Sequence, residues 1–270
     1  MKILLNNKSL IEIIKKREKL GFVPTMGSIH EGHISLIKKS KKLCKKTIVS
    51  IFINPTQFNK KKDFINYPKN IAKDIAILRK LKIHYLFIPK INDIYKLNLK
   101  TKIKLLKKDL ILCAKFRKGH FEGVLDVMDK LTKLINPNKI FMGEKDFQQQ
   151  FLVKRFIEKK FNTKVIKCPT IRNKKKLALS SRNVLLDKKN LQIAAKITQD
   201  IFNFKKSLKN KKINFNVLQK KKKELNSMYN INIEYLDLRK THSLTSSTDV
   251  KKSRIFFAYY LNKVRLIDNL

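Results

Sequence analysis

Short apolar runs alternate with amphipathic stretches through the chain before about residue 171, and this alternation allows few folds. The apolar runs are residues 21–24, 47–53, 83–89, 139–142 and 164–168. The stretches with helical spacing of apolar residues are 31–44, 68–81, 124–135 and 145–160. Short buried strands that alternate with helices are typical of a parallel sheet. The pattern therefore predicts an α/β domain whose ligand binds beyond the carboxyl ends of the strands.

The chain after residue 171 has a different pattern. Two lysine- and asparagine-rich stretches with helical spacing, 187–209 and 214–228, precede strand candidates at 231–238, 253–259 and 264–267. Asn262 and Lys263 predict a hairpin turn between the last two strands, although the glycine usual in such turns is missing. We expect a smaller α+β domain here, with domain boundaries at residues 1–171 and 172–270.

Length and composition place the chain among soluble proteins of the cytoplasm. The 270 residues are enough for a sizeable core in two modest domains. We find no apolar run of membrane-spanning length and no signal peptide at the N-terminus. Cys44, Cys113 and Cys168 are odd in number and far apart, so we expect reduced, structural cysteines.

The formal net charge of +44 raises the hypothesis of a nucleic-acid-binding protein. Two observations weaken it. Only nine of the cationic residues are arginines and 55 are lysines, whereas readers of bases and phosphates rely on arginine. The lysines are also spread along the whole chain and accompany frequent Asn and Ile, which share A/T-rich codons. Nucleotide bias explains the charge more simply, and no specific nucleic-acid or membrane partner is expected.

The segment 22–36, FVPTMGSIHEGHISL, places an HxGH motif where the first predicted strand gives way to a helix. His30 and His33 are three residues apart, so both rings can face the same way on the first helical turn. The free amides of a helix start favour an anion, and Gly27 and Gly32 would let a ligand approach the backbone. A zinc-protease motif needs histidines four apart and is not indicated. Two unrelated surface histidines remain the alternative.

Three further segments carry polar groups suited to a nucleotide or an acid. In SIFINPTQF (50–58), Gln57 follows a buried strand and can bind carboxylate or hydroxyl groups. In GEKDFQQ (143–149), Lys145 offers a charge for phosphate, and Gln149 is expected one helical turn further on the same face. In LALSSRN (177–183), two hydroxyls precede Arg182, which can clamp an anion. Each segment alone is also compatible with an ordinary strand exit, helix start or loop.

Together and in this order, the segments closely resemble the pantoate:beta-alanine ligases (pantothenate synthetases), a family of the HxGH nucleotidylyl-transferase superfamily. The matching segments are PTMGSIHEGH at 24–33, SIFINPTQF at 50–58, YP at 67–68, GHFEGV at 119–124, GEKDFQQ at 143–149, PTIR at 169–172, LALSSRN at 177–183 and RLIDN at 265–269. The resemblance spans essentially the whole chain. It implies a Rossmann-like N-terminal domain, a smaller C-terminal domain that closes over the nucleotide, and a homodimer.

The resemblance also implies an activity. ATP and pantoate would form a bound pantoyl adenylate and pyrophosphate, and the amine of beta-alanine would then attack the acyl carbon to give pantothenate and AMP. Magnesium would accompany the phosphates, while the metal ligands stay unknown. Another HxGH adenylyl or cytidylyl transferase is the alternative within enzymes, although the two glutamines of GEKDFQQ argue against it.

The resemblance further assigns roles to residues. His33 matches the family's proton donor, and His30, Lys145 and Arg182 would stabilise charge on the transferring phosphate. Gln57 would contact pantoate and beta-alanine, and Gln149 would contact pantoate. The positions that match ATP-binding residues are Met26, Gly27, Ser28, Ile29, His30, Glu31, Gly32, His33, Gly143, Glu144, Lys145, Asp146, Ile171, Leu179, Ser180, Ser181 and Arg182.

The chain departs from the family pattern in three places. Lys118 stands before GHF where proline is usual. The turn NKKK at 173–176 replaces an acidic, glycine-containing one, which predicts a less favourable turn geometry at Lys176 and puts the mobility of that loop in doubt. Lys73 precedes Asp74 where paired acids are common, which weakens a metal or substrate role for Asp74.

Overall fold

A computed structural model describes residues 1–14, 19–59, 61–95, 102–208 and 213–270. The chain divides into two compact units. The first comprises Met1–Leu110 and Arg117–Thr170, and the second comprises Ile111–Phe116 and Ile171–Leu270. The inclusion of residues 111–116 in the second unit was not anticipated from the sequence. None of the helices within the described ranges combines the length and the apolar character needed to cross a membrane.

The first unit contains a six-stranded parallel sheet. Its strands are β1 (Lys2–Leu4), β2 (Leu20–Thr25), β3 (Lys46–Ile51), β4 (Tyr85–Phe87), β5 (Lys139–Gly143) and β6 (Lys164–Cys168), in the order β1-β4-β3-β2-β5-β6. The predicted parallel sheet is confirmed, with strand boundaries shifted by up to two residues. The exception is β1, which was missed because three residues at a sheet edge are too few to show a periodic pattern.

Helices surround this sheet. They are α1 (Asn7–Ile14), α2 (Glu31–Leu43), α3 (Lys61–Ile65), α4 (Ile71–Lys80), α5 (Ile91–Ile94), α7 (His120–Ile135) and α8 (Phe147–Lys160); the short α6 (Cys113–Phe116) belongs to the second unit. The predicted helices are confirmed with changed ends. The helix α4 begins after Asn70, whose side chain accepts the N–H of Lys73. The helix α7 begins four residues earlier than predicted, after Gly119 in a left-handed conformation with φ +79°.

The strand order places three polar loops at one edge of the sheet. Strand β2 lies between β3 and β5, and all three run in the same direction, so the loops that follow them leave the sheet side by side. The helix after β2 leads to β3 on one side, whereas the neighbour on the other side, β5, comes much later in the chain. A reversal of strand order of this kind leaves a crevice in which ligands of open α/β sheets bind.

The second unit contains two long helices and an antiparallel sheet. These are α9 (Lys188–Ser207), α10 (Phe215–Tyr229), β7 (Asn232–Lys240), β8 (Ser253–Leu261) and β9 (Val264–Asn269), with β8 in the centre. Asp187 and Asn214 cap the two helices by accepting backbone N–H groups of Asn190 and Val217. The predicted α+β character is confirmed. Lys209, the predicted end of the first of these helices, lies outside the described residues.

The predicted hairpin at Asn262 and Lys263 is also confirmed. The two residues connect β8 to β9 with Leu261 opposite Val264, and their φ angles are +46° and +63°. This is the conformation of a type I′ turn, in which glycine is preferred because a β-carbon is unfavourable at positive φ. The turn therefore retains local strain at Lys263.

Relief of this strain should stabilise the second unit. We expect Lys263→Gly to raise the free energy of unfolding by about 0.5–1 kcal/mol, measured by urea unfolding followed by circular dichroism. Lys251→Gly is the matched control, because it removes the same charge at a residue whose φ is not positive. An equal gain in both variants would contradict the conformational explanation.

Candidate active site

The loop after β2 is held in an unusual conformation by two buried side chains. Gly27 and Ser28 both have positive φ, +82° and +52°. The backbone N–H groups of Ser28 and Ile29 consequently point into the protein, where the carboxylate of Asp74 accepts both at 2.8 and 2.7 Å. Thr25 Oγ1 accepts the N–H of Gly27 at 3.1 Å and donates to the carbonyl of Ser50 at 2.7 Å. The loop is thus anchored to α4 and β3.

Asp74 is the residue of this site that sequence reasoning missed. The sequence suggested only a weakened metal or substrate role, whereas the side chain is 2% exposed and both its oxygens bind backbone N–H groups. A signal was present, because Asp74 lies one helical turn before the buried Leu78, on the apolar face of α4. A carboxylate on a buried helix face needs partners, and an adjacent loop is where they can be found.

Packing within the protein favours glycine at Gly27 and Gly32 of the motif. A β-carbon on Gly27 would lie 2.9 Å from Asp74 Oδ2, in addition to the strain of its positive φ. A β-carbon on Gly32 would lie 2.7 Å from Cε1 of His30. The protein's own side chains therefore give one reason for glycine at both positions, and the approach of a ligand to the backbone here stays a prediction.

His30 and His33 lie together at the start of α2, as predicted. Their ring centroids are 4.1 Å apart. His30 is the N-cap residue, and its Nδ1 accepts the N–H of Gly32 at 3.1 Å, while Nδ1 of His33 accepts the N–H of His30 at 3.4 Å. Because Nδ1 is an acceptor in both rings, the proton of each neutral ring is on Nε2. The pair thus offers two Nε2–H donors at a helix N-terminus, where anions are favoured.

The electrostatic surroundings keep both rings neutral. Removal from water lowers the pKa of His30 to about 4, helped by the positive charge of Lys145. Removal from water likewise lowers the pKa of His33 to about 3, with His30 and Lys145 as further causes. Both rings therefore act as hydrogen-bond donors near neutral pH. A role of His33 as proton donor requires a bound anion that raises its pKa.

Lys145 lies in a 3₁₀-helical turn, Glu144–Asp146, between β5 and α8. Its Nζ is 3.7 Å from Asp146 Oδ1, and its charge acts on both histidines. The α-helix begins only at Phe147, so Lys145 lies outside it. The prediction that Lys145 and Gln149 lie one turn apart on the same helix is therefore wrong. A helix that starts two residues later places Lys145 before its first turn. Gln149 lies in that first turn and is partly buried.

Gln57 lies at the end of a 3₁₀-helical turn, Pro55–Gln57, that follows β3. The side chain is 9% exposed, and its Nε2 is 2.9 Å from Sδ of Met26 in the loop after β2. The backbone carbonyl of Gln57 accepts from Nη2 of Arg117 at 3.2 Å and from Nδ1 of His120 at 2.6 Å. His120 was matched only as part of the motif at 119–124, without a role, and Arg117 was not singled out from the sequence. The structure shows that they hold the backbone of Gln57.

The remaining predicted site residues belong to the second unit. Ile171 accepts the N–H of Leu179 at 3.0 Å, and Ser180 Oγ accepts the N–H of Arg182 at 3.3 Å at the start of the 3₁₀-helical turn Ser181–Leu185. In the preceding turn, Asn173 Oδ1 accepts the N–H groups of residues 175 and 177, each at 3.0 Å. Lys176 has φ +65°, which confirms the unfavourable geometry predicted there.

Comparisons with known proteins give a consistent result. A family model described as pantoate-beta-alanine ligase matches residues 2–270. The pantothenate synthetase of Francisella tularensis subsp. mediasiatica is 41% identical over 259 residues, which cover 94% of this chain and 90% of that protein.

Solved structures agree over the full length. A pantothenate synthetase from Thermus thermophilus has a TM-score of 0.93 at 29% identity, with 100% of this chain and 99% of that chain covered. A pantoate-beta-alanine ligase from Francisella tularensis, solved in complex with beta-gamma ATP and beta-alanine, has a TM-score of 0.86 at 40% identity, with 100% and 97% covered.

The lowered pKa of His33 predicts a pH-dependent stability. The unfolded chain binds more protons than the folded chain between about pH 3 and the ordinary histidine pKa of 6.5. The stabilisation is fully present above pH 6.5 and is lost as the pH falls through this window. We expect the melting temperature of the wild type to fall more steeply from about pH 7 to pH 5 than that of His33→Gln. His242→Gln, at an exposed position, should keep the wild-type slope, and equal slopes in all three proteins would contradict the assignment.

Removal of the Asp74 carboxylate should destabilise the first unit. Asp74→Ala leaves the N–H groups of Ser28 and Ile29 without their buried acceptor, which should cost about 2–4 kcal/mol of unfolding free energy. Chemical denaturation measures this cost. Lys73→Ala, at the exposed neighbouring position, should change the free energy of unfolding by less than about 0.5 kcal/mol. A similarly small effect of Asp74→Ala would show that the loop does not depend on the carboxylate.

Proposed function

The chain belongs to the pantoate-beta-alanine ligase family, and we propose that it catalyses the ATP-dependent condensation of pantoate with beta-alanine to pantothenate. The match to the family model extends from residue 2 to residue 270. The relatives at about 40% identity are named for this activity. The protein is thus a ligase of pantothenate biosynthesis that uses ATP as a substrate.

We propose that the reaction has two steps. A carboxylate oxygen of pantoate forms a bond to the α-phosphorus of ATP, and the bond from that phosphorus to the pyrophosphate oxygen breaks. The free amine of beta-alanine then attacks the acyl carbon, AMP leaves with the electron pair of its bond to that carbon, and the nitrogen loses a proton. No covalent bond to the protein is needed, so the protein acts by alignment and by stabilisation of charge.

The observation that supports this proposal is the arrangement around the loop after β2. The loop precedes two neutral histidines at a helix N-terminus, the charge of Lys145 acts on both rings, and Gln57 contacts the loop at Met26. A phosphate placed over the helix start would meet two Nε2–H donors, backbone N–H groups and one ammonium. An uncharged amide adjacent to this phosphate site suits an acid that must be activated without strong electrostatic binding.

Residue roles follow from the family motifs together with this geometry. We propose that residues 26–33 and 143–146 bind ATP, that His30, His33 and Lys145 stabilise charge on the transferring phosphate, and that His33 donates a proton once an anion has raised its pKa. Gln57 would contact pantoate and beta-alanine, and Gln149 would contact pantoate. For the second unit, the motif alone supports nucleotide binding by Ile171 and residues 179–182, with Arg182 as the anion-binding cation.

Magnesium would be held mainly by phosphate oxygens and waters, as is usual for this ion in nucleotide sites. Among the described residues, no group of three or more His, Cys, Asp or Glu side chains is arranged to hold a metal ion. Both oxygens of Asp74 bind backbone N–H groups, so Asp146, beside Lys145, is the better candidate for a single carboxylate ligand. We also propose a homodimer located in the cytoplasm, and sedimentation of the purified protein tests the dimer.

The activity is tested by an assay of AMP release with omissions. The purified protein should release AMP and form pantothenate only when ATP, magnesium, pantoate and beta-alanine are all present. AMP release that needs no pantoate, or no pantothenate among the products, would overturn the proposal. Replacement of ATP by CTP, and of pantoate by other acids, tests the alternative of another nucleotidylyl transferase of the same superfamily. Turnover with CTP or with another acid in place of pantoate would favour that alternative.

A pair of histidine variants makes this assay specific for the site. His33→Ala should lower the rate of adenylate formation by about 10² to 10⁴, as expected when a group that assists proton transfer or charge stabilisation is lost. His242→Ala removes an exposed histidine of the second unit and should leave the rate unchanged. A near-wild-type rate in His33→Ala would remove that residue from its proposed role.

A further inference from the structure

The amide group of Asn54 has its orientation fixed by the backbone. Its Oδ1 accepts the N–H of Thr56 at 3.3 Å and the hydroxyl of the same residue at 3.0 Å. Its Nδ2 donates to the carbonyl of Gly123 at 3.1 Å. A backbone N–H can only donate and a backbone carbonyl can only accept, so a rotated amide would bring like groups together at both ends.

This orientation determines the orientation of Gln57. The second hydrogen of Asn54 Nδ2 is donated to Oε1 of Gln57 at 3.2 Å. The carbonyl end of the Gln57 amide is therefore held inside the protein, and the Nε2 end is 2.9 Å from Sδ of Met26. A thioether sulfur is a weak acceptor, so the Nε2 hydrogens can bind a stronger acceptor if one enters the site.

Tyr95 also holds the amide of Asn54. Its hydroxyl donates to Asn54 Oδ1 at 2.8 Å and lies 3.2 Å from Oγ1 of Thr56. The ring is 3% exposed, and burial raises the pKa of the hydroxyl, so it remains a donor throughout the usual pH range. The ammonium of Lys130 lies 5.0 Å from the ring centroid. The hydroxyl of Tyr95 is thus linked to the Gln57 amide through Asn54.

The helix α7 fixes the other side of this arrangement. A β-carbon on Gly123 would lie 2.4 Å from the backbone oxygen of Thr56, so α7 and the turn before Gln57 are in contact through a glycine. The carbonyl of Gly123 can approach Asn54 for this reason. Three separate segments, which contain Tyr95, Thr56 and Gly123, thus fix the orientation of the Asn54 amide.

From this geometry we propose that Tyr95 is a positioning residue that acts through Asn54 on Gln57, and that Gln57 presents its Nε2 hydrogens to oxygen acceptors of the substrates. This inference rests on the proposed function. It specifies that Gln57 meets a carboxylate or hydroxyl oxygen of the hydroxy acid, and that any contact with the amino acid is to its carboxylate and not to its ammonium group. Apart from the weak contact between Gln57 Nε2 and Met26 Sδ, the loop proposed to bind the nucleotide takes no part in this hydrogen-bond chain.

The first test separates the substrates by their Michaelis constants. Loss of the Tyr95 hydroxyl in Tyr95→Phe should raise the KM of pantoate by about 3- to 10-fold, which corresponds to one hydrogen bond, with the KM of ATP within about twofold of wild type. Tyr229→Phe is the matched control, because it also removes a bonded hydroxyl, here to Asp200 in the second unit, and should change neither constant. An unchanged KM of pantoate in Tyr95→Phe, or equal increases for all substrates together with a lower melting temperature, would overturn the positioning role.

The second test addresses which atom of Gln57 meets the substrate. Gln57→Glu keeps an oxygen for Asn54 and replaces the Nε2 hydrogens by a carboxylate oxygen, so we expect kcat/KM for pantoate to fall at least about 100-fold while ATP still binds. Activity within a few fold of wild type would overturn the proposal. In ¹H–¹⁵N spectra, the side-chain NH₂ signal that is missing in Gln57→Glu should shift when pantoate is added to the wild type, and a signal unmoved at saturating pantoate would equally contradict it.

The inference and the proposed function fail in different ways. A wild-type protein that releases no AMP with all four components contradicts the ligase function and the inference with it. An active wild type whose pantoate constants are insensitive to Tyr95→Phe and Gln57→Glu contradicts the inference alone.

Discussion

The buried carboxylate of Asp74 makes the interaction on which the loop after β2 and the histidine pair of the candidate site depend. It accepts the N–H groups of Ser28 and Ile29, and this requires the two successive positive φ angles at Gly27 and Ser28. The chain can then enter α2 with His30 as N-cap. Without this carboxylate, the N–H groups of Ser28 and Ile29 would lose the acceptor that holds the loop, at a cost comparable to a substantial part of a domain's stability. The position of both histidines therefore depends on a residue of another helix.

Backbone N–H and C=O groups in this site fix which atoms of the neighbouring side chains donate and which accept hydrogen bonds. The N–H groups of Gly32 and His30 determine which nitrogen of each imidazole is protonated. The carbonyl of Gly123 determines, through Asn54, which end of the Gln57 amide faces Asn54. The candidate site thus offers hydrogen-bond donors at both imidazoles and at the Gln57 amide. Because the two rings are neutral, Lys145 supplies the local positive charge. Neutral donors limit self-repulsion in a chain with a net charge of +44.

Much of the architecture could be predicted from the sequence, because short-range patterns encode it. Alternating apolar runs gave the parallel sheet, and the hairpin at Asn262 and Lys263 was predicted even without its usual glycine. The errors have local physical reasons. The strand β1 is too short for a pattern, and α8 begins after a 3₁₀-helical turn, which moves Lys145 off the expected helical face. The segment Ile111–Phe116 packs with the second unit although it lies far from it in the sequence.

The sequence by itself determined the family, the fold class and the identity of the polar residues after each strand, because these depend on residue type, order and spacing. Only the tertiary structure decided the contacts, protonation and orientation of these residues. The folded chain brings the carboxylate of Asp74 to the loop after β2 and places the ring of His30 beside Gly32. It also lowers the pKa values of the two histidines and sets the orientation of the Gln57 amide. Each of these properties arises from groups that are distant in sequence and removed from water together. A pKa or an amide orientation is a property of such surroundings, and a linear motif does not contain them.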